Sequence, residues 1–261
     1  MDLQLKGKRA LVSGSTAGIG YAIAVALAKE GAEVIVNGRT QAAVDKAIES
    51  IRQTTGQAVQ GYAGDLTQAH AAEALFGAYP KVDILVNNLG IFEPMAFEDI
   101  SDADWTRFFD VNVLSGVRLA RQYLNGMKQA NWGRIIFISS ESGVQIPAEM
   151  IHYGMTKSAQ IAVARGLAEA VAGTEITVNS VLPGPTKSRG VEDFVEALAA
   201  GKSFEAFEQE FFDKVRPTSL IKRFATPDEV AAMVAYLASP LASATTGAAL
   251  RVDGGVIKSA F

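Results

Sequence analysis

The 261-residue chain contains no cysteine and only two histidines, His70 and His152. The missing cysteines exclude thiolate nucleophiles, iron–sulfur clusters and Cys-ligated zinc, and they are silent about redox compartment. Two histidines are too few for a multi-His metal centre. Basic residues are short as well. Lys and Arg number 24 against 28 Asp and Glu, a net charge of −4, so no broad cationic face exists to neutralise a phosphate backbone. Nucleic acid is therefore not an expected partner. No apolar run approaches the roughly 18 residues of a membrane span. The start, Met1-Asp2-Leu3-Gln4-Leu5-Lys6-Gly7-Lys8-Arg9, lacks the apolar stretch of a secretory signal. The expectation is a soluble, cytoplasmic protein without a membrane partner.

What is present is a sizeable core. Apolar residues make up 49% of the chain and charged residues 20%, which excludes a disordered polypeptide. At this length roughly 70% of the extended chain's surface can be buried without disulfides or metals. Short β-branched runs recur at Ala10-Leu11-Val12, Val34-Ile35-Val36, Ile84-Leu85-Val86, Ile135-Ile136-Phe137-Ile138 and Ile176-Thr177-Val178. A longer segment with helical spacing follows each. That alternation predicts an α/β fold with a doubly wound, mainly parallel, Rossmann-like sheet. Near-continuous apolar strands agree, because such strands are covered on both faces.

Helix starts are punctuated. Thr226-Pro227-Asp228-Glu229 places a capping threonine, a proline at the first helical position and a glutamate at the third. Ser101 to Asp104 opens another helix in the same way. Val44, Ile48 and Ile51 follow an amphipathic rhythm between Thr40 and Thr55. With no repeat or linker-like break, residues 1–261 read as one domain. The stretch from about 187 to 217 departs from the alternation, with Phe204, Phe207 and Phe211 on one helical face. It reads either as a helix packed on the core or as an extended helical lid over a substrate pocket.

Three groups of residues could carry chemistry. After the first strand comes Ser13-Gly14-Ser15-Thr16-Ala17-Gly18-Ile19-Gly20, and a helix through Lys29 follows at once. Such a turn lets backbone N–H groups and the helix dipole face a pyrophosphate. At the end of the second strand stands Asn37-Gly38-Arg39-Thr40, with no acid to bond a ribose 2′-hydroxyl and an arginine suited to a 2′-phosphate. Finally, Tyr153 and Lys157 lie four apart on one helical face, with Ser139-Ser140 thirteen residues upstream. An ammonium beside a phenol favours phenolate and predicts a lowered tyrosine pKa.

In these features the chain resembles the short-chain dehydrogenase/reductase family, essentially end to end. The glycine turn corresponds to Gly14, Gly18 and Gly20, with Ser15, Thr16 and Ile19 between them. The family's adenine-side acid corresponds to Asp65, followed by Leu66, and its Asn-Asn-Ala-Gly loop to Asn87-Asn88-Leu89-Gly90. Its catalytic set maps onto Asn112, Ser140, Tyr153 and Lys157, and its nicotinamide-side segment onto Pro183-Gly184, with Thr186 beyond. The closing strand and turn match Arg251-Val252-Asp253-Gly254-Gly255.

The resemblance implies hydride transfer between a nicotinamide cofactor and a carbonyl or secondary alcohol. Tyr153 would protonate the developing alkoxide and Ser140 would bond the same oxygen. Lys157 would tune Tyr153 and hold the nicotinamide ribose, and Asn112 would hold a bend and a water leading from the lysine to solvent. Arg39 favours NADP(H), with NAD(H) as the alternative, and Thr40 stands beside it. Three departures from the family pattern stand out: Leu89 replaces a small alanine in a loop lining the adenosine side, Ala17 supplies no second cation for a 2′-phosphate, and the segment from Lys187 to Pro217 is longer than in the simplest relatives. The expected activity is reduction of a ketone, aldehyde or 3-oxo compound. The alternatives are an NAD-linked alcohol or hydroxysteroid dehydrogenase and a non-catalytic nucleotide-binding protein. The expected substrate wall comprises Glu141, Ser142, Val144, Gln145, Ile146, Met150 and the lid phenylalanines, with His152 lining the pocket rather than reacting. Lys187 and Arg189 are the candidate clamps for a substrate carboxylate. A homotetramer is also implied, through helices around residues 102–129 and 153–172 and the carboxyl-terminal strand.

Overall fold

The computed structural model describes residues 2–187 and 203–260. Seven strands form one sheet: β1 (Arg9–Val12), β2 (Glu33–Gly38), β3 (Gln60–Ala63), β4 (Ile84–Asn87), β5 (Gly133–Ile138), β6 (Ile176–Pro183) and β7 (Ala249–Val252). Their order is β3-β2-β1-β4-β5-β6-β7, and every pair is parallel. In β1, Ala10 pairs with Val34 on one side and Ile84 on the other. The connection from β3 to β4 therefore returns past β1, and a crevice opens where the carboxyl ends of β1 and β4 diverge.

The helices are α1 (Gly18–Lys29), α2 (Gln41–Thr55), α3 (Ala69–Ala78), α4 (Asp102–Phe109), α5 (Ser115–Ala130), α6 (Ile151–Ala170), α7 (Phe204–Lys214) and α8 (Pro227–Ala238). Successive strand residues alternate between two cores. Ala10, Val12, Val34, Val36, Ile136 and Ile138 pack with apolar residues of α1 and α8. Leu11, Ile35, Leu85, Ile135 and Phe137 pack with residues of α3, α5 and α6 on the opposite face. Each buried Leu, Ile or Phe side chain contributes about 1.5–3 kcal/mol of transfer free energy. No described helix is long and apolar enough to cross a membrane.

Both predicted capping boxes are formed. Ser101 accepts from the Asp104 N–H, and Thr226 accepts from the Glu229 N–H with Pro227 in the first turn. Two elements differ from the sequence expectation. Strand β3 carries no β-branched run, and its pairing with β2 supplies the order that its residues lack. The helix expected around residues 102–129 is interrupted by a π-helical turn at Asp110–Leu114, which displaces Asn112 from the regular ladder. Of the stretch expected as a lid, α7 is present, and residues 188–202 lie outside the described residues.

Candidate active site

The turn after β1 is built on glycine for reasons of space and of dihedral angle. Gly14 and Gly18 adopt φ of +60° and +58°, the left-handed region. A Cβ on Gly20 would lie 2.4 Å from Asn88 Nδ2 and 2.5 Å from the Gly14 carbonyl oxygen. Asn88 Nδ2 donates to the carbonyls of Ser13 and Gly14, at 3.1 and 3.0 Å, so any added carbon must break that tie. From below, Asn37 Oδ1 accepts from the Gly14 N–H while its Nδ2 donates to the carbonyls of Tyr62 and Gly64. Ser15 Oγ donates to the Val12 carbonyl. Helix α1 then begins at Ala17 with no side-chain cap and no acid in its first turn. Its leading N–H groups are available to an anionic ligand, which fits the pyrophosphate of a dinucleotide.

Around this turn the remaining nucleotide candidates occupy the carboxyl ends of β2 and β3. Arg39 is exposed and has no ion-pair partner among the described residues. Thr40 is committed to α2, its hydroxyl accepting from the Ala43 N–H. Asp65 closes a turn by accepting from the N–H and hydroxyl of Thr67. Leu66 is buried in the core. Leu89 leans on the glycine turn, its Cδ2 3.3 Å from where a Gly14 Cβ would stand.

The second half of the site sits where β4, β5 and α6 converge. A cleft of about 770 Å³ is lined by Ile19, Asn88, Gly90, Ser140, Tyr153, Lys157, Pro183, Gly184 and Thr186. Tyr153 and Lys157 project from one face of α6, with the ammonium 5.5 Å from the phenol ring centroid. Lys157 Nζ donates to the Ile138 carbonyl at 3.0 Å and to Gln160 Oε1 at 3.2 Å. No carboxylate among the described residues pairs with it, and burial pulls its pKa down to about 7. The expected acidification of Tyr153 is therefore not what this site produces. Burial pushes the phenol well above its ordinary value; the bond to Ser140 opposes the rise, the Glu141 charge adds to it and Arg216 opposes it. An edge of Tyr153 still meets the cleft, so the rise depends on how dry the cleft is kept.

Asn112 is fully buried behind this cluster rather than lining it. Its Oδ1 accepts from the Ile91 N–H, and its Nδ2 donates to the Ile91 carbonyl and to Thr156 Oγ1. Gln160 donates to the Asn112 carbonyl at 2.6 Å, so it joins the displaced turn to Lys157 directly. No sequence motif points to Gln160, although it stands one helical turn beyond Lys157. On the nicotinamide side, a Gly184 Cβ would meet the Asp253 carbonyl oxygen at 2.6 Å, and Thr186 Oγ1 donates to the Gly184 carbonyl.

The cleft wall differs in part from the expected one. Glu141, Ser142 and Met150 line it, as do Phe207 and Phe211 of α7, together with Ile91, Phe92 and Pro94. Val144, Gln145 and Ile146 instead face outward, exposed on the turn after β5. Phe204 stacks toward Phe224, and Lys187 lies over the Phe204 ring. Arg189 lies outside the described residues. His152 does not line the cleft: it is wholly buried against Phe108, with ring centroids 4.0 Å apart, and against Trp105. Burial holds its pKa below the ordinary histidine value. The arginine that does reach the cleft is Arg216, beyond α7, whose place in the sequence gave no hint of it.

A family model described as enoyl-(acyl carrier protein) reductase matches residues 14–257. The chain is 50% identical over its whole length to the uncharacterized oxidoreductase YvaG of Bacillus subtilis, whose full length is covered. It is 37% identical to the D-beta-hydroxybutyrate dehydrogenase of Cupriavidus necator, over 96% of this chain and 98% of that one. The crystal structure of L-sorbose reductase from Gluconobacter frateurii, complexed with NADPH and L-sorbose, superposes with a TM-score of 0.93 at 31% identity, covering 99% of this chain and 100% of the other. The chain belongs to the short-chain dehydrogenase/reductase family and is an oxidoreductase of that type.

Proposed function

We propose that the protein is an NADPH-preferring carbonyl reductase acting on a neutral or hydrophobic ketone, aldehyde or 3-oxo compound. The observation that carries the reading is a phenol on the wall of a mainly apolar cleft, beside a hydroxyl and one turn from a buried amine, with burial raising its proton affinity. Reduced nicotinamide supplies the hydride when bound. The glycine turn and the uncapped start of α1 suit its pyrophosphate, Arg39 a 2′-phosphate, and Lys157, Pro183, Gly184 and Thr186 its nicotinamide end. Tyr153 gives its proton to the oxygen that becomes an alkoxide, and Ser140 bonds the same oxygen. Gln160 and Asn112 hold Lys157 in place. The phenylalanines of α7 keep water from the reacting carbonyl, as a lid formed by about residues 187–217 of a single domain would.

The runner-up is an NAD-linked alcohol dehydrogenase. It needs Tyr153 as a base, which burial disfavours, and an acid after β2, where Arg39 stands instead. A non-catalytic nucleotide-binding protein has no use for the Tyr153 and Lys157 arrangement. The test is Tyr153→Phe, assayed by nicotinamide absorbance against a panel of ketones and aldehydes. Loss of about 10²–10⁴-fold in kcat is expected, with NADPH affinity held within a few-fold. Near-normal turnover in that variant would end the proposal.

A further inference from the structure

Beside the candidate serine stands a buried acid that none of the family motifs includes. Glu141 follows Ser140 at the end of β5 and is only 4% exposed. One carboxylate oxygen accepts from Ser140 Oγ at 2.7 Å and from Ser142 Oγ at 2.6 Å. The other accepts from Arg216 Nε at 3.0 Å. Arg216 comes from the segment after α7, 75 residues away, and its Nη1 also donates to Glu149 in the turn before α6. A hydroxyl has one proton to donate. While that proton points to Glu141, Ser140 Oγ accepts from the Ser142 N–H at 3.1 Å, so bonding a substrate oxygen requires the hydroxyl to turn from the carboxylate. Ser140 also lies within hydrogen-bonding reach of the Tyr153 phenol, where a donated serine proton favours phenolate.

We propose that Glu141 and Arg216 are positioning residues that fix the direction of the Ser140 hydroxyl beside the Tyr153 phenol, and that they tie this setting to the segment following α7. The proposal rests on the reductase reading and adds a pair to it. Two consequences follow from charge and geometry. A glutamine at 141 must turn its amide oxygen to Arg216 and its N–H₂ to the serines, which reverses the Ser140 hydrogen bond and frees the serine proton to point at the phenol oxygen. Its lost negative charge also stabilises phenolate, whereas removing the Arg216 cation destabilises it. The charged groups facing this phenol are Lys157 on its own helix, Glu141, Glu149 and Arg216, with Glu210 and Lys214 of α7 on the same cleft.

The experiment measures kcat and kcat/KM for carbonyl reduction against pH in the full chain with NADPH. Glu141→Gln should move the alkaline loss of activity to lower pH by about one unit and cut kcat about tenfold, with the KM for NADPH unchanged. Arg216→Met should move the same limb to higher pH, and Glu141→Asp, which keeps the charge, should restore it toward wild type. In a Ser140→Ala background, Glu141→Gln should cost less in kcat than it does in wild type, because only its charge effect on the phenol remains. If both variants fold and the limb stays put, or if Glu141→Gln is fully additive with Ser140→Ala, the inference falls while the reductase reading stands. Should Glu141→Gln not fold, the Arg216→Met limb decides alone. A wild-type chain that binds NADPH and reduces no carbonyl in the panel overturns both.

Discussion

Lys157 should destabilise the protein that depends on it, and the size of that effect can be worked from its surroundings. Its ammonium is 4% exposed and meets two neutral acceptors, the Ile138 carbonyl and Gln160 Oε1, with no anion in contact. The pKa falls from 10.5 in a free lysine to about 7. At roughly 1.4 kcal/mol per pH unit, holding the charged form in the folded state costs about 4–5 kcal/mol. The sign follows from proton counting. Between pH 7 and 10.5 the unfolded chain carries the proton and the folded one does not, so stability rises with pH across that window and is lowest below it. Lys157→Met removes the charge and leaves two buried acceptors unmet, a loss of roughly 1–3 kcal/mol. The variant should therefore be more stable than wild type by about 2 kcal/mol near pH 6–7, and the gain should vanish toward about pH 10, while reductase activity is lost. Urea unfolding without nucleotide across that pH range is the assay. If Lys157→Met proves less stable than wild type at about pH 6, or if the difference is independent of pH, the picture of a desolvated, unpaired amine is refuted.

Gly20→Ala should displace Asn88 from its two carbonyl partners and overpack the turn, costing about 2–4 kcal/mol. The thermal midpoint should drop by roughly 5–10 °C and NADPH affinity at least tenfold; a wild-type midpoint would show that the turn relaxes freely. Arg39→Asp should lower kcat/KM with NADPH by about tenfold or more and raise it with NADH, and steady-state kinetics showing NADH already preferred by the wild type would overturn the assignment. We also propose a homotetramer on the family resemblance, and light scattering that returns a monomer mass would contradict it.

Much of the architecture was legible because it is written in local patterns. Five of the seven strands are β-branched runs buried on both faces, and the two capping boxes need only neighbours three apart. The glycine turn could be read for a similar reason, since Gly14 and Gly18 need the left-handed region and Gly20 sits under Asn88. Strand β3 escaped because Gln60-Gly61-Tyr62-Ala63 has little strand propensity of its own, and its order comes from β2. The direction of His152 escaped as well, because helical phase alone does not say which neighbour a residue meets; Phe108 and Trp105 of α4 decide it.

The sequence by itself determined five of the strands, the glycine turn and the pairing of Tyr153 with Lys157 on one helical face, since each depends on spacing within one segment. The tertiary structure alone decided their electrostatics. Lys157 has a lowered proton affinity because the fold buries it, that of Tyr153 is raised by partial burial in the cleft wall, and Arg216 meets Glu141 only through a contact 75 residues apart in sequence. Solvation and long-range pairing are properties of the packed molecule, and no local pattern encodes them.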